Sequence, residues 1–401
     1  MTLVTPTSIS ADDVAYIDPL AALRENLTDL TPADWPGEGL RRLVEAGVSD
    51  LHAVRDGASG RLSMRARHEL DIHEVAAIDD ADEAEATINL LKAAAEIDTS
   101  GSQESADGQI ELPVDNYPYR ARVVHLPLFD DGDNIVIRLP QLGKPRTLDA
   151  LSMTATNREA LDQALAKPHG LIVIAGRTRE GKSNTAHSIV CHLRDASRTS
   201  YWRHGEERFE FTRSITSVED PVERVLEGVE QLEVVDNPDM RATFADRMRH
   251  LVRSDSDILF IGEIRDAETA RAAADMARTG VRVITTIHAG DNLTALRRLI
   301  ELGGNSPLSV LDVVTAVISQ RLVRTLSSHR ATRYAGLQAV HDILRMDDTL
   351  IDAFIAGQSA ARIREVADGL STGFDHNVRS LIESGRTDQD EALRAFGRSF
   401  A

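Results

Sequence analysis

Residues 176 to 183 read Gly-Arg-Thr-Arg-Glu-Gly-Lys-Ser, a G-x-x-x-x-G-K-[ST] pattern between the apolar stretch Leu171 to Ala175 and a helical stretch from Asn184. A strand before and a helix after is the setting in which such a loop binds phosphate. The backbone amides of Gly176, Arg177, Thr178, Arg179, Glu180 and Gly181, with the helix N-terminus at Asn184, suit phosphate oxygens. Lys182 supplies a mobile cation near the β- and γ-phosphates, and Ser183 can ligate magnesium. A merely structural turn has no use for that lysine. Alone, the loop supports nucleotide binding and nothing more.

Further on, Asp257 to Glu263 reads DILFIGE, four apolar residues followed by Gly262 and a carboxylate at the expected end of a strand. In a parallel sheet Glu263 then stands beside the phosphate loop, where it can hold a magnesium-bound water or polarise the attacking one. Taken alone, it equally reads as a solvated acid at a strand end. Between the two motifs, Ser217 to Glu223 crowds Glu219, Asp220 and Glu223 around Pro221. Such acids repel one another unless a cation or donors compensate them. Beside a magnesium nucleotide the cluster is useful, and elsewhere it is an acidic surface turn. His288 ends the apolar run VITTIH. An imidazole there can sense a γ-phosphate or simply be a satisfied loop residue.

These residues need a scaffold, and the periodicity supplies one. From Gly143 onward, apolar strands such as LIVIAG and DILFIGE alternate with helical stretches, which predicts a mainly parallel α/β sheet over 143–346. Before it, Leu40 to Gly47 and Ala84 to Ile97 carry helical spacing, Arg61 to Leu70 alternates, and ARVVHLPLF and NIVIRLP read as strands separated by Asp130 to Asp133. They predict a small mixed domain over 39–142. Residues 1–38 read as a mobile extension or docking helix. Residues 347–401 read as helical, with Gly357, Gly373 and Gly385 at C-cap positions and Thr387 to Asp390 as a capping box.

The chain has 401 residues, 64 acidic and 45 basic, for a formal charge of −19. That balance repels nucleic acid and anionic headgroups over most of the surface. Its single cysteine, Cys191, rules out an intrachain disulfide or a cysteine-clustered zinc site and falls in an expected amphipathic helix. No apolar stretch approaches the roughly 18 residues needed to cross a bilayer. The expected location is the cytoplasm, at the inner membrane only through partners.

GRTREGKS, SVEDPVER, DILFIGEIRD and TGVRVITTIHAGDN, in that order, resemble the Walker A, Asp box, Walker B and His box of the type II/type IV secretion ATPase superfamily. SDLH at Ser49 to His52 resembles a segment near the start of pilus-retraction ATPases. AVISQRLVRTL, Ala316 to Leu326, resembles the family's helix after the ATPase core. The segment from Asp115 to Pro140 resembles the end of its PAS-like N-terminal domain. The resemblance implies an α/β fold with a RecA-like P-loop ATPase core, a smaller PAS-like α+β domain and a helical C-terminal region. It also implies ATP and Mg2+ as ligands, with Lys182 and Ser183 contacting phosphate and magnesium. Glu263 becomes the catalytic base, Glu219 and Glu223 position magnesium or water, and His288 reads the γ-phosphate. Arg122 and Arg138 match arginines that reach the nucleotide from the N-terminal domain, where a guanidinium offsets developing charge.

Three departures stand out. Arg179 and Glu180 replace small, glycine-containing residues of the P-loop, so Glu180 is expected to point outward, away from phosphate. Val281 stands where many relatives have a first histidine of the His box, leaving His288. SSHRATRY after the QRLVR segment is short and lacks the four-cysteine insertion of assembly-type relatives, which favours retraction, conjugative or type IVB-like ones. The resemblance implies a homohexameric motor that works on an inner-membrane platform protein of a pilus or secretion machine, without direct contact to nucleic acid. Two other readings stay open: a ring translocase acting on nucleic acid, and a low-turnover nucleotide-binding regulator.

Overall fold

The computed structural model describes residues 20–99, 104–114, 117–203, 206–234, 251, 255–327 and 333–400. The N-terminal part contains α1 (Ala21–Leu27), α2 (Leu40–Glu45), β1 (Asp50–Arg55), β2 (Leu62–His68), β3 (Asp71–Ile78), α3 (Ala81–Ala94), β4 (Ala106–Val114), β5 (Tyr117–Pro127) and β6 (Asp133–Arg138). Its six strands form one antiparallel sheet in the order β3-β2-β1-β6-β5-β4. Alternation sets the faces. Along β5, Tyr119, Ala121, Val123 and His125 are buried, while Arg120, Arg122 and Val124 are directed to the other face. Helix α3 starts where the Asp80 carboxylate accepts the amides of Asp82 and Glu83, and it packs Ala84, Ile88 and Leu91 into the core.

That core also takes in Leu20, Leu23, Leu27 and Trp35. Residues 20–38 are therefore part of the N-terminal domain, which corrects the expectation of a mobile extension there. The physical reason is burial: each leucine removed from water contributes about 1.5–3 kcal/mol, more than a free helix of seven residues could gain from its own hydrogen bonds. Residues 1–19 lie outside the described residues.

The second part contains α4 (Ala155–Ala166), β7 (Gly170–Gly176), α5 (Lys182–Ala196), β8 (Arg198–Arg203), β9 (Glu206–Phe211), β10 (Ile215–Glu219), β11 (Glu230–Glu233) and β12 (Ile258–Ile261). It continues with α6 (Ala267–Arg278), β13 (Arg282–His288), α7 (Asn292–Gly303), β14 (Val314–Leu326) and β15 (Tyr334–Arg345). Strands β8 and β9 form a separate hairpin, and the other seven form a sheet in the order β11-β10-β12-β13-β7-β14-β15. Every pairing in that sheet is parallel except β14 with β15. Parallel strands bring their carboxyl ends to one edge. Gly176, Glu219, Ile261 and His288 end β7, β10, β12 and β13, so the four motifs gather at that edge.

Residues Ala316 to Leu326 belong to strand β14, which corrects the reading of this segment as a helix. Val314, Thr315, Val317, Ile318 and Val323 are β-branched, and Val314 to Gln320 are buried without interruption between β7 and β15. A strand covered on both faces shows a continuous apolar run in place of alternation, and such a run is easily taken for a helix.

Four helices close the chain: α8 (Asp348–Ile355), α9 (Ala360–Leu370), α10 (Phe374–Glu383) and α11 (Gln389–Phe396). Gly357 and Gly385 follow α8 and α10 with φ of 58° and 68°. Gly373, expected at a C-cap, is instead the residue that opens α10. The cap of α11 is Asp388, which accepts the Glu391 amide, while Thr387 donates to the Arg324 carbonyl. The expected box is thus not formed: Asp388 caps the helix alone, and the Glu391 carboxylate turns to Arg324 and Arg394.

Candidate functional site

Strand β7 is buried over its whole length and delivers the chain into the loop Arg177 to Gly181 at the open edge of the sheet. Gly181 has φ 77°, and a Cβ there would lie 2.9 Å from Gln320 Nε2. Only glycine meets both demands. Arg179 adopts φ 66° without being glycine, a conformation that costs a non-glycine residue on the order of 1 kcal/mol. Ser183 and Asn184 lie partly open in the first turn of α5.

Lys182 is folded back over the loop. Its Nζ donates to the carbonyls of Gly176 (3.0 Å) and Arg177 (2.9 Å) and stands 3.2 Å from His288 Nδ1. Burial pushes the ammonium's pKa down, against the opposing pull of Glu263, Glu180 and Glu223. On the other side of the imidazole, Nε2 lies 2.7 Å from Glu263 Oε1. An ammonium has only donors, so Nδ1 must accept and the ring proton sits on Nε2, facing the carboxylate. Partial burial and then Lys182 hold His288 below its ordinary pKa, which keeps the ring neutral. His288 thus joins the lysine of the P-loop to the acid at the end of β12.

Glu263 Oε2 accepts from Arg265 Nε at 2.7 Å. The other oxygen, Oε1, is buried and has no aligned hydrogen-bond donor among the described residues, the His288 nitrogen being close but off the line of its N–H. A buried carboxylate oxygen without a donor is an acceptor in reserve. Together with the Lys182 ammonium, the Ser183 hydroxyl and the N-terminus of α5, it suits a magnesium-bound polyphosphate and its attacking water.

Glu219 is the last residue of β10. Its carboxylate is 4% exposed and receives Ser217 Oγ at 2.7 Å, Gln231 Nε2 at 3.0 Å and His187 Nε2 at 3.2 Å. These partners hold it at the end of β10, with two donors on Oε1 and one on Oε2. Glu223 is half-buried in the following turn, near enough to act on the charge of Lys182.

Arg122 and Arg138 face one another across β5 and β6. Arg122 Nη1 lies 3.7 Å from Asp220 Oδ1, and Arg138 Nε lies 3.5 Å from Asp50 Oδ1. Asp220 in turn accepts Arg265 Nη1 at 3.0 Å, so Arg122, Asp220, Arg265 and Glu263 form one chain of charge between the two domains. Arg120 pairs with Glu233 across the same gap.

The unusual P-loop residues also have defined partners. Glu180 Oε2 accepts the Leu322 amide at 2.5 Å, with Arg321 Nη1 3.8 Å from Oε1. The expectation that Glu180 points outward is therefore corrected: it turns under the loop to β14, and burial raises its pKa. Gln320 reinforces this seam, donating to the Glu180 carbonyl at 2.6 Å and accepting from Thr185 Oγ1 at 2.5 Å. Sequence reasoning missed Gln320, whose one signal was a polar residue inside an apolar run. Arg179 crosses to the N-terminal domain, where Nε and Nη2 meet the Asp50 carboxylate at 3.3 and 3.1 Å.

The sequence profile of the family described as type II/IV secretion system protein matches residues 37–394. Type II secretion system protein HxcR of Pseudomonas aeruginosa is 32% identical over 330 residues, covering 77% of this chain and 66% of its own length. Type II secretion system ATPase E of Vibrio cholerae is 31% identical over 390 residues, covering 88% and 73%. The chain spans 66%, 64% and 59% of the length of three of the curated relatives it matches. Among solved structures, the Legionella pneumophila ATPase DotB aligns with a TM-score of 0.65 at 21% identity, over 91% of this chain and 95% of that one. The pilus retraction motor PilT with bound ADP aligns with a TM-score of 0.63 at 18% identity, over 91% and 97%. These likenesses show a shared fold.

Proposed function

The chain belongs to the type II/IV secretion system protein family, and from that membership we propose that it is a motor ATPase powering a pilus or secretion machine. The observation that carries the reading is the Lys182–His288–Glu263 series, in which a P-loop cation and a strand-end acid flank one imidazole. Lys182, Ser183 and the loop amides bind the phosphates, and Ser183 with Glu263 would hold magnesium and its water. Magnesium, when bound, neutralises charge on the β- and γ-oxygens. Glu263 Oε1 accepts the proton of the attacking water, and His288, turning its Nε2–H from Glu263 to the γ-phosphate, donates there. Arg122 and Arg138 approach from the N-terminal domain and offset charge on the transferred group.

Since the arginines and the P-loop lie on different domains, closing the cleft on nucleotide moves one domain against the other. In a homohexameric ring that motion is passed to an inner-membrane platform protein. The short, cysteine-free segment after β14 favours a retraction, conjugative or type IVB-like motor. No helix among the described residues is long and apolar enough to cross a membrane, which suits a motor that reaches the membrane through such a partner. ATP turnover by the purified chain, with and without single-stranded DNA at several salt concentrations, tests the reading. Magnesium-dependent turnover indifferent to DNA supports it, and salt-sensitive stimulation by DNA replaces it with a translocase.

A further inference from the structure

Asp50 stands in a row of side chains on the face of the N-terminal sheet opposite its apolar core. Across adjacent strands the paired residues run Arg67, Asp50, Arg138 and Arg122. Its carboxylate is 3% exposed and is shared by Arg179 at 3.1 Å, Arg138 at 3.5 Å and Arg67 at 3.9 Å, with Ser49 Oγ at 2.8 Å. Three guanidinium groups around one acid leave two positive charges without a counterion within that group. Two of the three, Arg179 and Arg138, lie where a phosphate would draw on the same positive charge that Asp50 now shares. Arg179 belongs to the phosphate loop itself, and Arg138 projects into the interdomain cleft from β6.

We propose that Asp50 is an internal anion that competes with the nucleotide's phosphates for Arg138 and Arg179, and so sets the affinity of the site through the contact between the domains. This rests on the ATP-binding reading above. Asp50 draws the P-loop toward the N-terminal sheet through a fork-shaped guanidinium contact with Arg179, a geometry that a lysine would not reproduce. A polyphosphate entering the loop offers the same cations more negative charge, and the link to Asp50 opens as the arginines turn to it. Occupancy of the P-loop is thereby felt directly by β1. The positive φ of Arg179 has an account in the same terms: its backbone holds a strained conformation that the ion pair with Asp50 offsets.

Calorimetric titration with ATPγS and magnesium tests the competition. Asp50→Asn removes the competing charge at nearly constant shape, and roughly five- to tenfold tighter binding is expected. Asp50→Ser, neutral and smaller, should give a gain of the same sign and serves if the first variant fails to fold. In an Arg179→Gly background, where glycine takes the positive φ without strain, Asp50→Asn should give at most half the fold-gain. Unchanged or weaker binding by the folded Asp50 variants overturns the proposal. So does a gain that survives intact beside Arg179→Gly, because that is a long-range charge effect and not a shared guanidinium. Failure of the functional reading looks different: the wild-type chain would not bind the probe, or Lys182→Ala would bind it equally well.

Discussion

The imidazole of His288 lies with Nε2 2.7 Å from Glu263 Oε1, and its other nitrogen faces Lys182. Removing the acid at one end of this series should separate binding from chemistry. Glu263→Gln keeps the shape and loses the base, so nucleotide affinity should stay within a few-fold while kcat falls by roughly 10²–10⁴-fold. Steady-state hydrolysis and ATPγS titration on the same preparation check it. A parallel loss of affinity would show that Glu263 serves mainly to hold the ground-state nucleotide.

His288→Asn keeps a donor near Glu263 but removes the ring that bridges to Lys182. We expect kcat to fall by roughly ten- to a hundredfold with a smaller change in KM, since a contact made mainly in the transition state affects kcat first. Equal damage to KM would place the histidine's role in binding.

Glu180 supports the loop from below. Glu180→Ala leaves the Leu322 amide without its acceptor, which should lower the unfolding free energy by about 1–3 kcal/mol. Urea unfolding followed by circular dichroism reads this directly. A stabilised variant would show instead that the raised pKa of this carboxyl reflects an uncompensated burial.

His341, on β15 opposite Gln320, provides a pH test outside the phosphate loop itself. Its ring is 1% exposed, neither nitrogen has a hydrogen-bond partner among the described residues, and burial pushes its pKa down to about 4. Above the ordinary histidine value the ring is neutral in both states and pH has no effect through it. As pH falls below about 6.5 the unfolded chain takes up a proton that the folded chain refuses. Stability is therefore lost progressively down to the folded pKa, by about 2–3 kcal/mol at pH 4.5. His341→Phe should lack this component, so the gap between the two chains should narrow or reverse on acidification. Parallel pH profiles would contradict it.

The motifs themselves were legible because each is local: a glycine-rich turn, an acid at the end of an apolar run, a histidine at the end of another. Their convergence followed from a parallel sheet, which puts all strand ends on one edge. The helical spacing of α3 and the strand character of β5 were readable for the same reason. What stayed hidden is set by distance along the chain. Asp50 and Arg179 are 129 residues apart, and nothing in either neighbourhood announces the other. Glu180 looked wrong for a phosphate loop because its acceptor role depends on an amide of β14, the strand misread as a helix. The leucines of α1 looked like a free segment because only the assembled sheet offers them a surface.

The central claim is that the Gly176 to Asn184 loop binds ATP for hydrolysis. Magnesium-dependent phosphate release by the wild-type chain and by Lys182→Ala, at equal concentration and with matched circular dichroism spectra, tests it most directly. Turnover by the wild-type chain and its loss in the variant is the predicted result. Wild-type-like hydrolysis by folded Lys182→Ala would contradict the account.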